Sequence, residues 1–225
     1  MAVITALPDG VTATTFLHFL DQSARMHSMT ESAISLREQK RWETTRRITQ
    51  CAKVLTDEHG LDGFTMEDLA DAAEVSRRTL FNYFPSKLDA VLGEHPEISP
   101  SVLATFIAGG PRGNLADDLA ELARAALAGK QADRDTVELT RRVISANPRL
   151  LAAAHERFEG ITEEFTALLV EREGADFKPA RARLILRLFM ALFDCSLGDL
   201  LDDAETRPLD EIFVDHLQYA HDFFA

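Results

Sequence analysis

The segment Val75 to Lys87, VSRRTLFNYFPSK, gathers two adjacent arginines, an asparagine and a tyrosine within a few residues of one another, ahead of a proline. Those side chains suit one chemistry above others. Arginine can bond the O6 and N7 of guanine through paired N–H groups, and asparagine can do the same to an adenine edge, which makes Arg77, Arg78 and Asn82 candidate base readers. Thr79 and Tyr83 carry hydroxyls of the kind that hold phosphate and fix register. Lys87 adds a point charge where a following helix would begin, beside an N-terminus already favourable to anions. Leu80, Phe81 and Phe84 are left to seat such a helix on a core. Arginines on a short helix also occur as a merely solvated face, so the surrounding elements must decide between the two.

Those elements are densely punctuated. Upstream of the cluster, Thr65 and Asp68 stand in N-cap and N3 relation, with Phe64 and Leu69 placed as a hydrophobic staple. The pattern then repeats: Ser76 can cap, and Val75 can staple onto Leu80. Pro85 stops that helix, because its ring cannot continue the hydrogen-bond ladder. Ser86 with Asp89 opens another. The spacing predicts a helix of about two turns, a break of about three residues and a second short helix, the layout of a helix-turn-helix. In that layout the second helix enters the major groove, with base contacts near its N-terminus.

A longer helix is predicted to precede this unit. Ser35 and Glu38 form an S-x-x-E capping box, and Ile48, Cys51, Ala52 and Leu55 recur at helical spacing. Gly60 ends it with the left-handed residue a helix terminus commonly needs, and Leu61 follows as an apolar clasp. Residues 1–34 are poor in charge and read as a flexible extension, or as an upstream start ahead of Met29; a docked helix around Thr15 to Met26 is the alternative. Beyond Gly93, helices are predicted at Leu115 to Leu127, Asp135 to Ser145, Pro148 to Glu173, Pro179 to Leu201 and Leu209 to Phe224. The fold class is therefore all-α. A head spans 35–93, with its motif at about 65–84, and a helical body spans 94–225.

Composition excludes several function classes. The chain has 225 residues, 46% of them apolar and 27% charged, as in an ordinary globular protein. Cys51 and Cys195 have no CxxC partner, and the seven histidines show no HExxH spacing, so neither a disulfide framework nor a metal site is expected. No nucleophile–base pairing or phosphate loop points to an enzyme, and no cofactor is implied. The longest apolar run, Leu188 to Phe193, falls far short of the roughly 20 residues of a membrane span. The first residues lack the basic start of a secretory signal, so a cytoplasmic location is expected. The formal charge of -13 is uneven: Arg37 to Asp89 holds nine Lys and Arg against ten Asp and Glu, and the part from His95 onward holds fourteen against twenty-three. The acidic part would repel a polyanion, and the near-neutral head permits a local basic face.

The segment ITQCAKVLTDEHGLDGFTMEDLADAAEVSRRTLFNYFPSKLDAVL resembles the N-terminal domain of the TetR family of transcriptional regulators. The resemblance rests on the Gly60 turn, Phe64-Thr65, Leu69-Ala70, Val75-Ser76, Thr79-Leu80, the Phe81-to-Phe84 block and Pro85-Ser86-Lys87. Two positions depart from the usual pattern. Glu74 occupies a turn where glycine is frequent, and Phe81 replaces a common tyrosine. The resemblance implies a homodimer that binds a double-stranded operator, with a variable effector-binding domain behind the head. It makes Arg77, Arg78 and Asn82 the base-reading residues, while Thr79, Tyr83, Lys87 and the amide end at Thr65 grip phosphate. More weakly, RRVISANPRLLAAAHERFEGITEEFTALLVEREG resembles the regulatory domains of one actinobacterial branch of the family.

In the body, LILRLFMALFDCSLGDLL is apolar nearly all round, the mark of a buried helix. The last helix carries Leu209, Phe213 and Leu217 on one stripe, with Ile212 and Phe223 beside it. In the family such helices form a four-helix dimer interface; completing a monomer core is the alternative. An effector pocket is expected among the middle helices. Phe158 and Phe165 share a face at i and i+7, and Phe189 and Phe193 share one at i and i+4. The implied effector is apolar, with or without a carboxylate or thioester head, and Arg141 or Arg142 could meet an anionic group. The function expected is a repressor released from a palindromic operator by this effector. An activator or ligand-independent DNA binder of the same fold stands as the alternative, and a module without DNA binding as a third.

Overall fold

The computed structural model of the chain describes residues 36–93, 98–127, 134–202 and 204–224. Ten helices run through them: α1 (Leu36–His59), α2 (Met66–Ala72), α3 (Arg77–Tyr83), α4 (Lys87–Leu92), α5 (Pro100–Ile107), α6 (Leu115–Leu127), α7 (Arg134–Ala146), α8 (Pro148–Glu173), α9 (Pro179–Leu200) and α10 (Leu209–Phe224). No strand occurs among the described residues. The Ser35–Glu38 box and every expectation for residues 1–34 lie outside the described residues. The expected helix limits agree to within one residue for α6 to α10, whereas α5 had no sequence expectation.

Local chemistry sets the head. Gly60 takes φ +73° to end α1, its amide bonding the Thr56 carbonyl at 2.9 Å. Three residues on, a Cβ at Gly63 would lie 2.0 Å from the His59 carbonyl oxygen, so only glycine fits that return of the chain. Thr65 then caps α2 as a full box. Its hydroxyl accepts from the Asp68 amide at 3.1 Å, and the Asp68 carboxylate accepts from the Thr65 amide at 2.7 Å.

The turn between α2 and α3 is a Schellman motif. The Val75 amide bonds the Ala70 carbonyl at 2.9 Å, and the Glu74 amide bonds the Asp71 carbonyl at 3.1 Å. That geometry demands a left-handed residue, and Glu74 supplies it at φ 51°, the one non-glycine with positive φ among the described residues. The Cβ that the sequence obliges this turn to tolerate is tolerated, at a cost of about 1 kcal/mol relative to glycine. Ser76 caps α3 by accepting from the Thr79 amide at 3.0 Å, and Ser86 caps α4 by accepting from the Asp89 amide at 3.2 Å.

One core joins head and body. Ile48, Ala52, Leu69, Leu80 and Phe84 cluster with Val143 and Ile144 of α7 and with Leu150 and Ala154 of α8. Three arginines reinforce the seam. Arg142 pairs with Asp57 through two bonds of 2.8 Å, Arg149 reaches Asp62 at 2.9 Å, and Arg157 donates to the Leu92 and Gly93 carbonyls at 3.1 and 2.7 Å. Lys53 of α1 is fully buried, and burial holds its ammonium well below the usual lysine pKa.

Two further apolar clusters fill the body. Phe193, Leu197, Leu209, Ile212 and Phe213 join α9 to α10, and Phe106, Leu119, Leu122, Leu169 and Phe177 join α5, α6 and α8. Asp118 and Arg172 form an ion pair 0% and 3% exposed beside the second of these. Burial acts to raise the Asp118 pKa. The Arg112 amide, the Arg172 guanidinium and the Gly113 amide outweigh it and leave the carboxyl below its ordinary value.

α9 departs from the all-round burial its composition predicts. Leu184 is 59% and Leu188 49% exposed, and on α10 Tyr219 and Phe223 are 78% and 82% exposed. The apolar residues exceed what one chain's core can cover.

Candidate nucleic-acid interface

Burial divides α3 into two faces. Leu80 is fully buried and Phe84 nearly so, clustered with Leu69 and Ala70 of α2 and with Ala73 at its C-cap. Truncating Leu80 to alanine would remove about 2–5 kcal/mol of stability from that seat. Arg77, Arg78, Phe81 and Asn82 stand exposed on the other side, with Thr79 and Tyr83 half-buried between the faces. The expected base readers are therefore all accessible on the second helix of the motif, Arg77 and Arg78 in its first turn and Asn82 near its end.

Their side chains are held differently. Arg77 donates to the Glu67 carboxylate at 2.5 Å, and its guanidinium lies 5.7 Å from the centre of the Phe81 ring. Arg78 and Asn82 are exposed and make no hydrogen bond or ion pair among the described residues. Thr79 Oγ1 lies 2.7 Å from Ser76 Oγ, at the cap of its own helix. Tyr83 sits under the Arg41 guanidinium, 5.6 Å from its ring centre. Lys87 does not point free into solvent: its ammonium donates to the Phe64 carbonyl at 2.7 Å and lies 4.8 Å above the Phe64 ring. The Thr65 amide is engaged by Asp68, so the hydroxyl and carboxylate of the cap, not a bare N–H, face outward there.

Two neighbours escaped the sequence. Arg41 comes from α1, 42 positions before Tyr83, and Glu67 lies ten before Arg77 across the Glu74 turn. Only the angle of that turn brings Glu67 and Arg77 together, and no periodicity carries it.

Residues 48–91 match the family model described as bacterial regulatory proteins, tetR family. The head is a TetR-family domain. The chain thus carries the DNA-binding head found in that family of transcriptional regulators. Among solved structures, FadR of Thermus thermophilus, described as a TetR family transcriptional repressor in complex with lauroyl-CoA, is similar at 22% identity. The alignment covers 77% of this chain and 91% of that one with a TM-score of 0.40. No curated protein matches the chain.

Behind the TetR head the body holds an apolar cavity of about 80 Å³. Phe158 and Phe165 of α8 and Phe189 and Phe193 of α9, the aromatic pairs singled out by spacing, all line it, together with Phe213 of α10. Among the described residues Thr162 is its one polar lining residue. Arg141 and Arg142 are absent from the lining, and Arg142 is committed to Asp57 at the seam.

A serine, a histidine and an aspartate do line up elsewhere, behind the TetR-type head. Ser196 Oγ lies 2.8 Å from His216 Nδ1, and His216 Nε2 lies 3.0 Å from Asp199. The serine is fully buried, and its hydroxyl also lies 2.8 Å from the Leu192 carbonyl one turn back in its own helix. With the serine oxygen closed off from any substrate, the trio braces α9 against α10. Among the described residues no group of three potential ligands could hold a metal, and no helix is long and apolar enough to cross a membrane.

Proposed function

We propose that the chain is a homodimeric repressor that leaves a palindromic operator when an uncharged, apolar effector enters the cavity between α8 and α9. One observation carries the release step: a single continuous helix, α8, serves both sites. Its first turns put Leu150 and Ala154 into the core of the head, and Arg157 grips the carbonyls that end α4. The next turns put Phe158, Ile161, Thr162 and Phe165 into the cavity wall.

The cavity volume supports coupling. A drug-sized ligand needs a site of about 300 Å³ or more, so the effector must spread α8 from α9 to enter. Displacement of α8 moves its other end, and with it the Arg157 grip on α4. An effector favouring dimers whose α3 helices are misplaced for the grooves releases DNA through that difference in affinity. The lining supports a ligand without charge, because a carboxylate head would meet no cation among the described lining residues.

The open side of α9 supports self-association. Leu184, Leu188, Ala191, Cys195 and Gly198 are all exposed and follow one another at helical spacing. An antiparallel mate crossing at Ala191 brings Leu184 over the partner's Gly198 and Arg187 beside the partner's Asp194. A two-fold dimer then offers two α3 helices to half-sites about 34 Å apart.

The test is release of a fluorescent operator duplex from the full chain by matched neutral and acidic ligands, decanol against decanoate. Decanol should release DNA at the lower concentration. Release by decanoate alone would overturn the neutral-effector reading.

A further inference from the structure

We propose that Glu67 and Phe81 are positioning residues that hold Arg77 as the specificity-determining arginine of α3, leaving Arg78 to the phosphate backbone. This rests on the DNA-binding reading of the head and assigns unequal tasks to the two adjacent arginines.

The two guanidiniums stand in different surroundings. Arg77 is caught between a carboxylate at 2.5 Å and an aromatic face at 5.7 Å, so both the edge and the plane of its fork are constrained. Arg78 has neither restraint. Recognition of guanine requires two N–H groups in a fixed plane, and a long side chain already fixed in that plane loses less freedom on binding. A phosphate accepts a cation from a wide range of directions, so a freely moving arginine serves it equally well. Five N–H donors sit on the fork; Glu67 takes one, and the remaining donors suffice for a bidentate contact.

Phe81 gains a purpose here. It is 42% exposed on the helix face away from the core, where a large apolar ring is otherwise a poor choice. Its place under Arg77 explains the ring and requires no hydroxyl, so a tyrosine would serve as well. Both Glu67 and Arg77 are more than 60% exposed, and a pair so solvated contributes little to folding. Its geometry is therefore more consequential than its contribution to stability, and a carboxylate there also disfavours phosphates of a misregistered duplex.

The experiment selects an operator from a random duplex pool with the full chain, then measures affinity for every single-base-pair variant and for an unrelated duplex. Glu67→Gln, Glu67→Ala and Phe81→Leu should each lower the preference at one base pair per half-site by roughly tenfold. Binding to the unrelated duplex should hold or tighten, the unfolding midpoint should stay put, and Phe81→Tyr should keep the wild-type preference. Equal loss on operator and unrelated duplex, or preferences retained at every position, would overturn the assignment. Tighter operator binding by Glu67→Ala with selectivity intact would also overturn it, marking Glu67 as a competitor for Arg77. A wild-type chain without preference for any duplex would instead bring down the DNA-binding reading, and this inference with it.

Discussion

Arg77 and Arg78 share a residue type and a helix turn, yet a carboxylate and a ring constrain one and no described residue constrains the other. Arg78→Ala is expected to weaken selected and unrelated duplexes alike, and to reduce the salt dependence of binding by about one counterion. Titrations at several salt concentrations check this. A second residue-scale prediction concerns Asp118, whose carboxyl the Arg172 guanidinium and two amides hold below its ordinary value of 3.8. Because the folded pKa is the lower one, the stabilisation is fully present above the unfolded value and drains away as pH falls through the folded value. Asp118→Asn leaves the buried Arg172 with Glu173, 3.0 Å away, as its remaining carboxylate, at a cost of about 1–3 kcal/mol at neutral pH. It should also flatten the acid limb of stability, read from urea midpoints measured down to about pH 2.

At the scale of elements, the head was legible because its stops and starts are local. Thr65, Ser76 and Ser86 each cap within three residues, and Gly60 and Pro85 end what precedes them. Glu74 could be singled out as the strained position for the same reason, and Glu74→Gly should raise the thermal midpoint by about 2 °C, corresponding to about 0.5–1 kcal/mol. The body was legible as helices and faces only. Spacing put Phe158 with Phe165 and Phe189 with Phe193, but which faces meet is settled by packing far along the chain. The Arg142–Asp57 pair spans 85 residues, and a surface charge carries no periodic mark of its partner. Composition misled for α9, where the apolar excess includes an outward stripe through Leu184 and Leu188. Under the proposed α9 pairing, Arg187→Asp should sediment as a monomer, and adding Asp194→Arg should restore a dimer. A dimer indifferent to both changes would place the contact elsewhere.

For the molecule as a whole, α8 ties an apolar cavity to the head, and the Arg157 grip on α4 is its junction. Arg157→Ala is expected to leave DNA affinity nearly unchanged without effector while reducing the release that decanol produces, both read from the same fluorescent duplex. In the proposed function, α3 presents a sequence-reading surface. The direct measurement is anisotropy of the full chain against its selected duplex and a shuffled duplex of equal length, over a range of salt. Affinity for the selected duplex should exceed that for the shuffled one by about a thousandfold or more, and both should fall steeply with salt. Equal affinity for the two, or binding to neither, would contradict it.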